Sequence, residues 1–499
     1  MRGPVKPALV SLIIVVVLIG ILVWDPRTDE TPASELLLYC AAGMKQPVAE
    51  IAAEYEREYG VRVTLQYGGS GTLLSSLNVA QRGDLYLAAD ETYIELAREQ
   101  ALVDEAIPVA QIRPVIVVPR GNPNGITGID DLNQNELRVA LGLPEAASVG
   151  RVTQVLLEAT GQWATLETRV RANGVFKPTV NEVAADVAIG AVDAGIVWDA
   201  TVNQFEELES VPIAASDQVV QNITVGILRS TNQPAAALRF ARYMAAREKG
   251  LPVFERHGFP PLEGDVWAER PEITYFSGGV NRTAIEQTLA EFALREGVSI
   301  NTSYNGCGIL VGQMKTGARP DVYHSCDLSF MEEVTDLFHE ATVVTQTDMV
   351  IMTQQGNPKG IRTLADLAAE GIRLGTANED QSALGALTAR LLQAEGLYDG
   401  VTKNVVTQMP TADLLVNQIQ AGSLDAVIVY QANTVVARKD AEVIPITLPT
   451  AEAFQTFAIG KDSEHKQLLT RLYATLQSAE SQDRFMQTGF SWRLGSIAP

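Results

Sequence analysis

The hydrophobic pattern of this chain changes tempo in a repeating order. Leu36–Tyr39 is a short apolar run and predicts a strand, while Gln46–Tyr59 carries Val48, Ile51, Ala52 and Tyr55 at helical spacing. Val61–Tyr67 alternates and predicts a second strand; Gly68–Gly71 is a glycine turn feeding a helix through Leu73, Leu74 and Leu77; Leu85–Ala88 is the next strand. Pro114–Pro119 and Met349–Met352 are apolar without polar alternation, as strands buried on both faces are. Strands and helices in alternation imply α/β layers around mainly parallel sheets. In such sheets ligands sit beyond the carboxyl ends of the strands, beside helix N-termini.

The same order occurs twice. The segment beginning at Leu36 is matched by one beginning at Ile273: Gly60 pairs with Gly297, Gly69-Ser70-Gly71 with Gly306-Cys307-Gly308, Asp84 with Asp321 and Asp90 with Asp327, each 237 positions on. Farther along, Gly121–Ile126 (GNPNGI) matches Gly356–Ile361 (GNPKGI), and Ala191–Trp198 (AVDAGIVW) matches Ser423–Tyr430 (SLDAVIVY). A repeat this long is a duplicated domain and not a solenoid unit. The expected organisation is a leader and polar linker over 1–34, a first domain over 35–262, a linker over 263–271 and a second domain over 272–499.

Ahead of the first copy, Arg2 and Lys6 precede an apolar run from Ala8 to Trp24, followed by Asp25, Arg27, Asp29 and Glu30. The run is at the short end of the ~17–25 residues that span a bilayer. Basic residues before it and acidic ones after it place the remainder of the chain outside the cytoplasm. The expectation is one uncleaved N-terminal transmembrane helix anchoring the protein in the inner membrane. The alternative is a cleaved signal peptide and a secreted protein. Either way the bulk is periplasmic or otherwise extracytoplasmic.

Composition then narrows the chemistry. A net charge of −22, with no basic run in the soluble part, argues against a nucleic-acid partner. The four histidines are scattered and the cysteines Cys40, Cys307 and Cys326 fit no zinc spacing, so neither a metal nor a cofactor is expected. Cys307 and Cys326 are able to pair in an oxidising compartment, subject to geometry. No catalytic signature appears, and the chain is expected not to be an enzyme. The carboxylates at Asp84, Asp90, Asp321 and Asp327 lie near strand ends, where structural caps are as good an account as acid–base groups.

The glycine turn carries the candidate chemistry. A doubly charged oxyanion leaving water must recover its hydration through hydrogen bonds, and helix N-termini supply free N–H groups with partial positive charge. Ser70 between glycines, just before a helix, fits that task; a plain strand-to-helix turn with Ser as cap is the bland alternative. The ordered series of the opening strand, YGGSG, DLYLAADE, VVPRGNP and DAGIVW resembles the molybdate/tungstate-type substrate-binding proteins of ABC importers. The resemblance implies two tandem type II periplasmic-binding folds, each of two α/β lobes closing on a small oxyanion (molybdate, tungstate or sulfate-like), with an ABC permease as membrane partner.

The family's site positions carry over singly. In the first copy a Ser after the opening strand falls on Gly43, the glycine-turn Ser is Ser70 followed by Gly71, a backbone N–H falls near Ser148 and Val149, another falls on Val180, and a Tyr falls on Trp198. In the second copy the corresponding set is Ser277, Cys307 with Gly308, Ser382 with Leu384, Ala412 and Tyr430. Each copy keeps a different subset of hydroxyls. Two other functions stay open on the sequence: a membrane-anchored sensor or adaptor that closes on a ligand, and a ferric-ion or other solute receptor using phenolates such as Tyr39, Tyr67, Tyr275 and Tyr304.

Overall fold

The computed structural model describes residues 35–134, 136–214, 219–437 and 439–494. The expected membrane anchor lies outside these residues; among the described residues no helix is long and apolar enough to cross a bilayer.

The expected strands and helices of the opening unit form nearly where the pattern places them. Glu35–Ala41 runs into a one-turn 3-10 segment, Ala42–Met44, and then the helix Lys45–Tyr59, which ends at Gly60 with φ 67°, a conformation that favours glycine. Arg62–Gly68 follows, then the helix Ser70–Ala80 and the strand Leu85–Ala88. The sheet order is 62–68, 35–41, 85–88, 221–228, 103–112, and 221–228 runs antiparallel to both its neighbours while the other four strands share one direction. A second five-stranded sheet, ordered 175–177, 139–142, 194–198, 114–119, 208–211, forms the other lobe. There too, Pro114–Pro119 is antiparallel to both its neighbours. The sheets are therefore mixed rather than mainly parallel. An apolar run buried on both faces looks the same in either direction, because helices cover both sides of these sheets whichever way the strand points.

The second half repeats this topology and register, with the short strand Ser491–Trp492 added beside 342–354. Tyr39 pairs with Gln66 and Tyr86, and Phe276, 237 positions later, pairs with Ser303 and Tyr323. One difference stands out. The single strand Thr342–Gln354 runs through both lobes and joins them into one ten-stranded sheet. In the first half the equivalent path is two strands, Val103–Ile112 and Pro114–Pro119. Pro114 has no N–H to give to a ladder, whereas Met349 at the matching place does.

The segment 263–271, expected as a linker, is packed against both halves. Asp265 accepts the N–H groups of Gln467 (2.8 Å) and Leu468 (2.9 Å) at the start of the helix Lys466–Leu476. The Trp267 indole donates to the Tyr59 hydroxyl at 2.9 Å. Beside it the buried Glu296 receives Arg242 from the first half (2.9 Å) and Arg471 from the second (2.6 Å). Burial pushes the Glu296 carboxyl up, but the two guanidinium groups more than offset it and hold it below its ordinary value.

Candidate functional site

Four chain turns and the end of one strand converge between the lobes of the first half. From one lobe come Ala42–Met44 and the helix Ser70–Ala80, capped by Gly69. From the other come the helices Ser148–Ala159 and Val180–Ala188, and Trp198 at the end of the strand Ala194–Trp198. They enclose a cavity of about 20 Å³ lined by Gly43, Ser70, Ser148, Val149, Val180 and Trp198, with Ala41, Ala42, Gly68, Gly69, Ala89, Ala147 and Thr179 completing the wall. Pockets for drug-sized ligands run to ~300–1,000 Å³, so this space suits one compact group. No charged side chain lines it. What polarity it has comes from peptide dipoles at helix starts and from hydroxyl and indole groups.

Ser70 is 1% exposed, and its Oγ accepts the Ala89 N–H at 3.3 Å, which leaves the hydroxyl proton to donate. The Tyr86 hydroxyl holds the Ser70 carbonyl at 2.8 Å and so fixes the turn. Ser148 behaves differently. Its hydroxyl donates to Asp90 Oδ2, so this residue turns only its backbone to the cavity. Burial pushes the Asp90 carboxyl above its ordinary value, and its second oxygen, Oδ1, has no partner.

The glycines of the turn have a steric task. A Cβ on Gly69 would collide with the carbonyl oxygens of Ala146 and Pro178, and one on Gly71 with that of Glu145. All three carbonyls belong to the opposite lobe. The Gly71 N–H donates to Ala146 O across the cleft at 2.9 Å, and Gln204 reaches back to the Gly43 carbonyl at 2.9 Å. The cleft is closed, backbone on backbone at the glycines and through side chains at Ser148–Asp90, Tyr93–Pro144 and Gln204–Gly43.

The second half builds the same turns with other side chains. Gly306 caps the helix Cys307–Lys315, Ser382 caps Ala383–Ala394, Thr411 caps Ala412–Gln420, and Tyr430 ends the strand Ala426–Tyr430. Gly306 and Gly308 abut the carbonyls of Gln381 and Asp380 as Gly69 and Gly71 abut theirs. Cys307, at the place of Ser70, is joined to Cys326 in a disulfide whose Cα atoms lie 6.4 Å apart, within the bridgeable range. Tyr430 is 2% exposed and its hydroxyl has no partner.

Two of the expected equivalences shift by a few residues. Ser277 pairs with Tyr304 and His324, the register that Cys40 keeps with Tyr67 and Leu87, so Ser277 lies inside the strand Glu272–Gly278 and Val280 stands at the place of Gly43. The Ser277 hydroxyl donates to the Gly278 carbonyl at 3.2 Å. The short strings CAAGM and FSGGV invite alignment on their small residues, and only strand pairing fixes the step. Likewise Ser382 is a cap, and Ala383 takes the place of Ser148. Leu384 and Ala412 keep the places of Val149 and Val180 in the first turns of their helices.

The remaining candidates resolve into structure. Asp84 and Asp321 accept the N–H groups of Leu37 and Thr274, each at 2.8 Å, and so tie strand to strand. Tyr39 and Tyr275 are buried in the cores, and the Tyr275 hydroxyl meets His324 Nδ1 at 3.1 Å. Sequence reading passed over the small wall residues Ala41, Ala42, Ala89, Ala147 and Thr179. Their signal, small residues directly after a strand or before a helix, was present but common to any tight turn.

The bacterial extracellular solute-binding protein family matches residues 36–260 and, a second time, residues 273–491. The chain belongs to this family. Its members are binding proteins rather than enzymes. A family relative from Haemophilus influenzae, a candidate binding protein, is 27% identical over 236 residues, 47% of this chain and 95% of its own. The molybdate-binding protein ModA of Mycobacterium tuberculosis is 25% identical over 239 residues, 47% of this chain and 88% of its own. The periplasmic molybdate-binding protein of Azotobacter vinelandii aligns with a TM-score of 0.39 at 19% identity, covering 45% of this chain and 98% of that one. Each such relative is about one half of this solute-binding chain.

Proposed function

We propose that the chain is an extracytoplasmic receptor for a small oxyanion of the molybdate, tungstate or sulfate kind, handing it to an ABC permease. The division into binding domains over 35–262 and 272–499 belongs to the same reading. The observation that carries it is the first cleft. Several helix starts, a buried Ser70 hydroxyl and the Trp198 indole face a space of about 20 Å³ with no cationic side chain. A compact dianion is the ligand that such a neutral cage of N–H and O–H donors stabilises; an amino acid or sugar is too large for it. Gly43, Ser70, Gly71, Ser148, Val149, Val180 and Trp198 form this site in the reading, Ser148 through its backbone. The relatives named for molybdate binding support the choice of anion.

Isothermal titration of the purified chain with molybdate, tungstate, sulfate and phosphate tests the proposal. Saturable binding of at least one oxyanion is expected. Ser70→Ala should weaken it roughly 10- to 100-fold, the worth of one hydrogen bond to a charged group. Absence of binding for all four, by titration and by thermal shift, overturns it.

A further inference from the structure

In the first copy Ala41, Ser70 and Ala89 share one wall of the cavity. Strand register carries these places to Gly278, Cys307 and Cys326. Ala41 pairs with Gly68 as Gly278 pairs with Asn305, and the Ala89 N–H meets Ser70 Oγ at 3.3 Å as the Cys326 N–H meets Cys307 Sγ at 3.0 Å. All three residues differ between the copies, and they differ as a set. Cys307 and Cys326 form a disulfide, and a Cβ at position 278 would collide with Cys326 Sγ. Glycine there is what makes room for the bond.

A disulfide sulfur carries no proton and donates no hydrogen bond. The donor that Ser70 offers in the first cleft therefore has no counterpart in the second. The nearby volume is merely redistributed, since Gly43 faces Val180 in one copy where Val280 and Ala412 hold those places in the other. We infer that the second copy does not hold the anion, and that Gly278, Cys307 and Cys326 are the residues that deny it, having turned a ligand wall into a covalent staple. This rests on the oxyanion reading of the first copy. The chain then takes one anion, in its first cleft.

The test is the stoichiometry of molybdate binding to the full chain, with the disulfide verified by thiol counting in denaturant, where only Cys40 should react. One equivalent is expected, and Ser70→Ala should move the whole isotherm rather than half of it. Two equivalents, or one equivalent unaffected by Ser70→Ala, overturns the inference while leaving the receptor reading standing. Three reactive thiols overturn it as well. No binding of any oxyanion overturns the receptor reading and this inference together. The variant Gly278→Ala/Cys307→Ser/Cys326→Ala restores the first copy's wall beside the unpartnered Tyr430 hydroxyl. A second equivalent, lost again on adding Tyr430→Phe, supports the inference; a folded triple variant that still binds one equivalent overturns it.

Discussion

The two copies share a fold down to strand register, yet they differ at most of the positions that face their clefts. The first has Gly43, Ser70, Ala89, Ser148 and Trp198 where the second has Val280, Cys307, Cys326, Ala383 and Tyr430. What they keep in common are the glycines at the lobe contact, the capped helix starts and the strand-tying aspartates Asp84 and Asp321. Closure and scaffold are thus separable from ligand chemistry. The former depend on backbone approach and core packing; the latter depends on a few side chains that no fold requirement protects. The polar interior of the second copy shows the same freedom. His324 stands where the first copy has Leu87, fully buried, and burial pushes its pKa down to about 3.

The comparison can be broken most severely at the seam between the copies. Glu296→Gln leaves Arg242 and Arg471 facing a neutral group, and loss of one partner of a buried ion pair costs about 3–5 kcal/mol. Calorimetric scanning should then resolve two transitions in place of one. The effect is pH-linked. Because the Glu296 carboxyl is held below its unfolded value, its stabilisation is present above that value and fades as the pH falls through the folded one.

Next in size is the lobe contact. Gly71→Ala places a methyl against the Glu145 carbonyl, and overpacking of this kind costs about 1–3 kcal/mol. Molybdate affinity should drop roughly 10- to 100-fold by titration. Gly308→Ala meets Asp380 in the same way and should leave that affinity unchanged, if the first cleft alone is occupied.

His324→Leu sharpens the contrast further. A histidine buried neutral loses its contribution as the pH falls below about 6.5 towards its folded value near 3, at most ~1.4 kcal/mol per pH unit. Replacing it with the first copy's residue should flatten the acid limb of the second copy's melting curve and leave the limb above pH 7 in place. The smallest effect is expected at Asp90→Asn. Burial holds this carboxyl above its ordinary value, so its ionisation as the pH rises works against the folded state. The amide should raise the melting temperature slightly at pH 8 and leave it nearly unchanged at pH 4.

Much of this was legible in the chain. The duplication, the alternation of elements and the glycine turn at Ser70 rest on local pattern, and local pattern is what periodicity reports. Strand direction was not legible, because Pro114–Pro119 is equally apolar whichever way it runs. The place of Ser277 was not legible either, because a three-residue slip among small residues changes the composition of a turn very little. Asp90 was visible as a repeated residue, but its bond to Ser148 crosses the cleft between lobes and has no local signature.

The latch between the lobes is made of glycine and carbonyl groups, with no side chain on the glycine side. Each rotamer-rich side chain frozen at an interface costs roughly 0.5–1.5 kcal/mol of configurational freedom. At the glycine contacts that cost is avoided. Closure thus freezes no side chain where the glycines meet the opposite lobe, and the side-chain ties across the cleft lie elsewhere, at Ser148–Asp90, Tyr93–Pro144 and Gln204–Gly43.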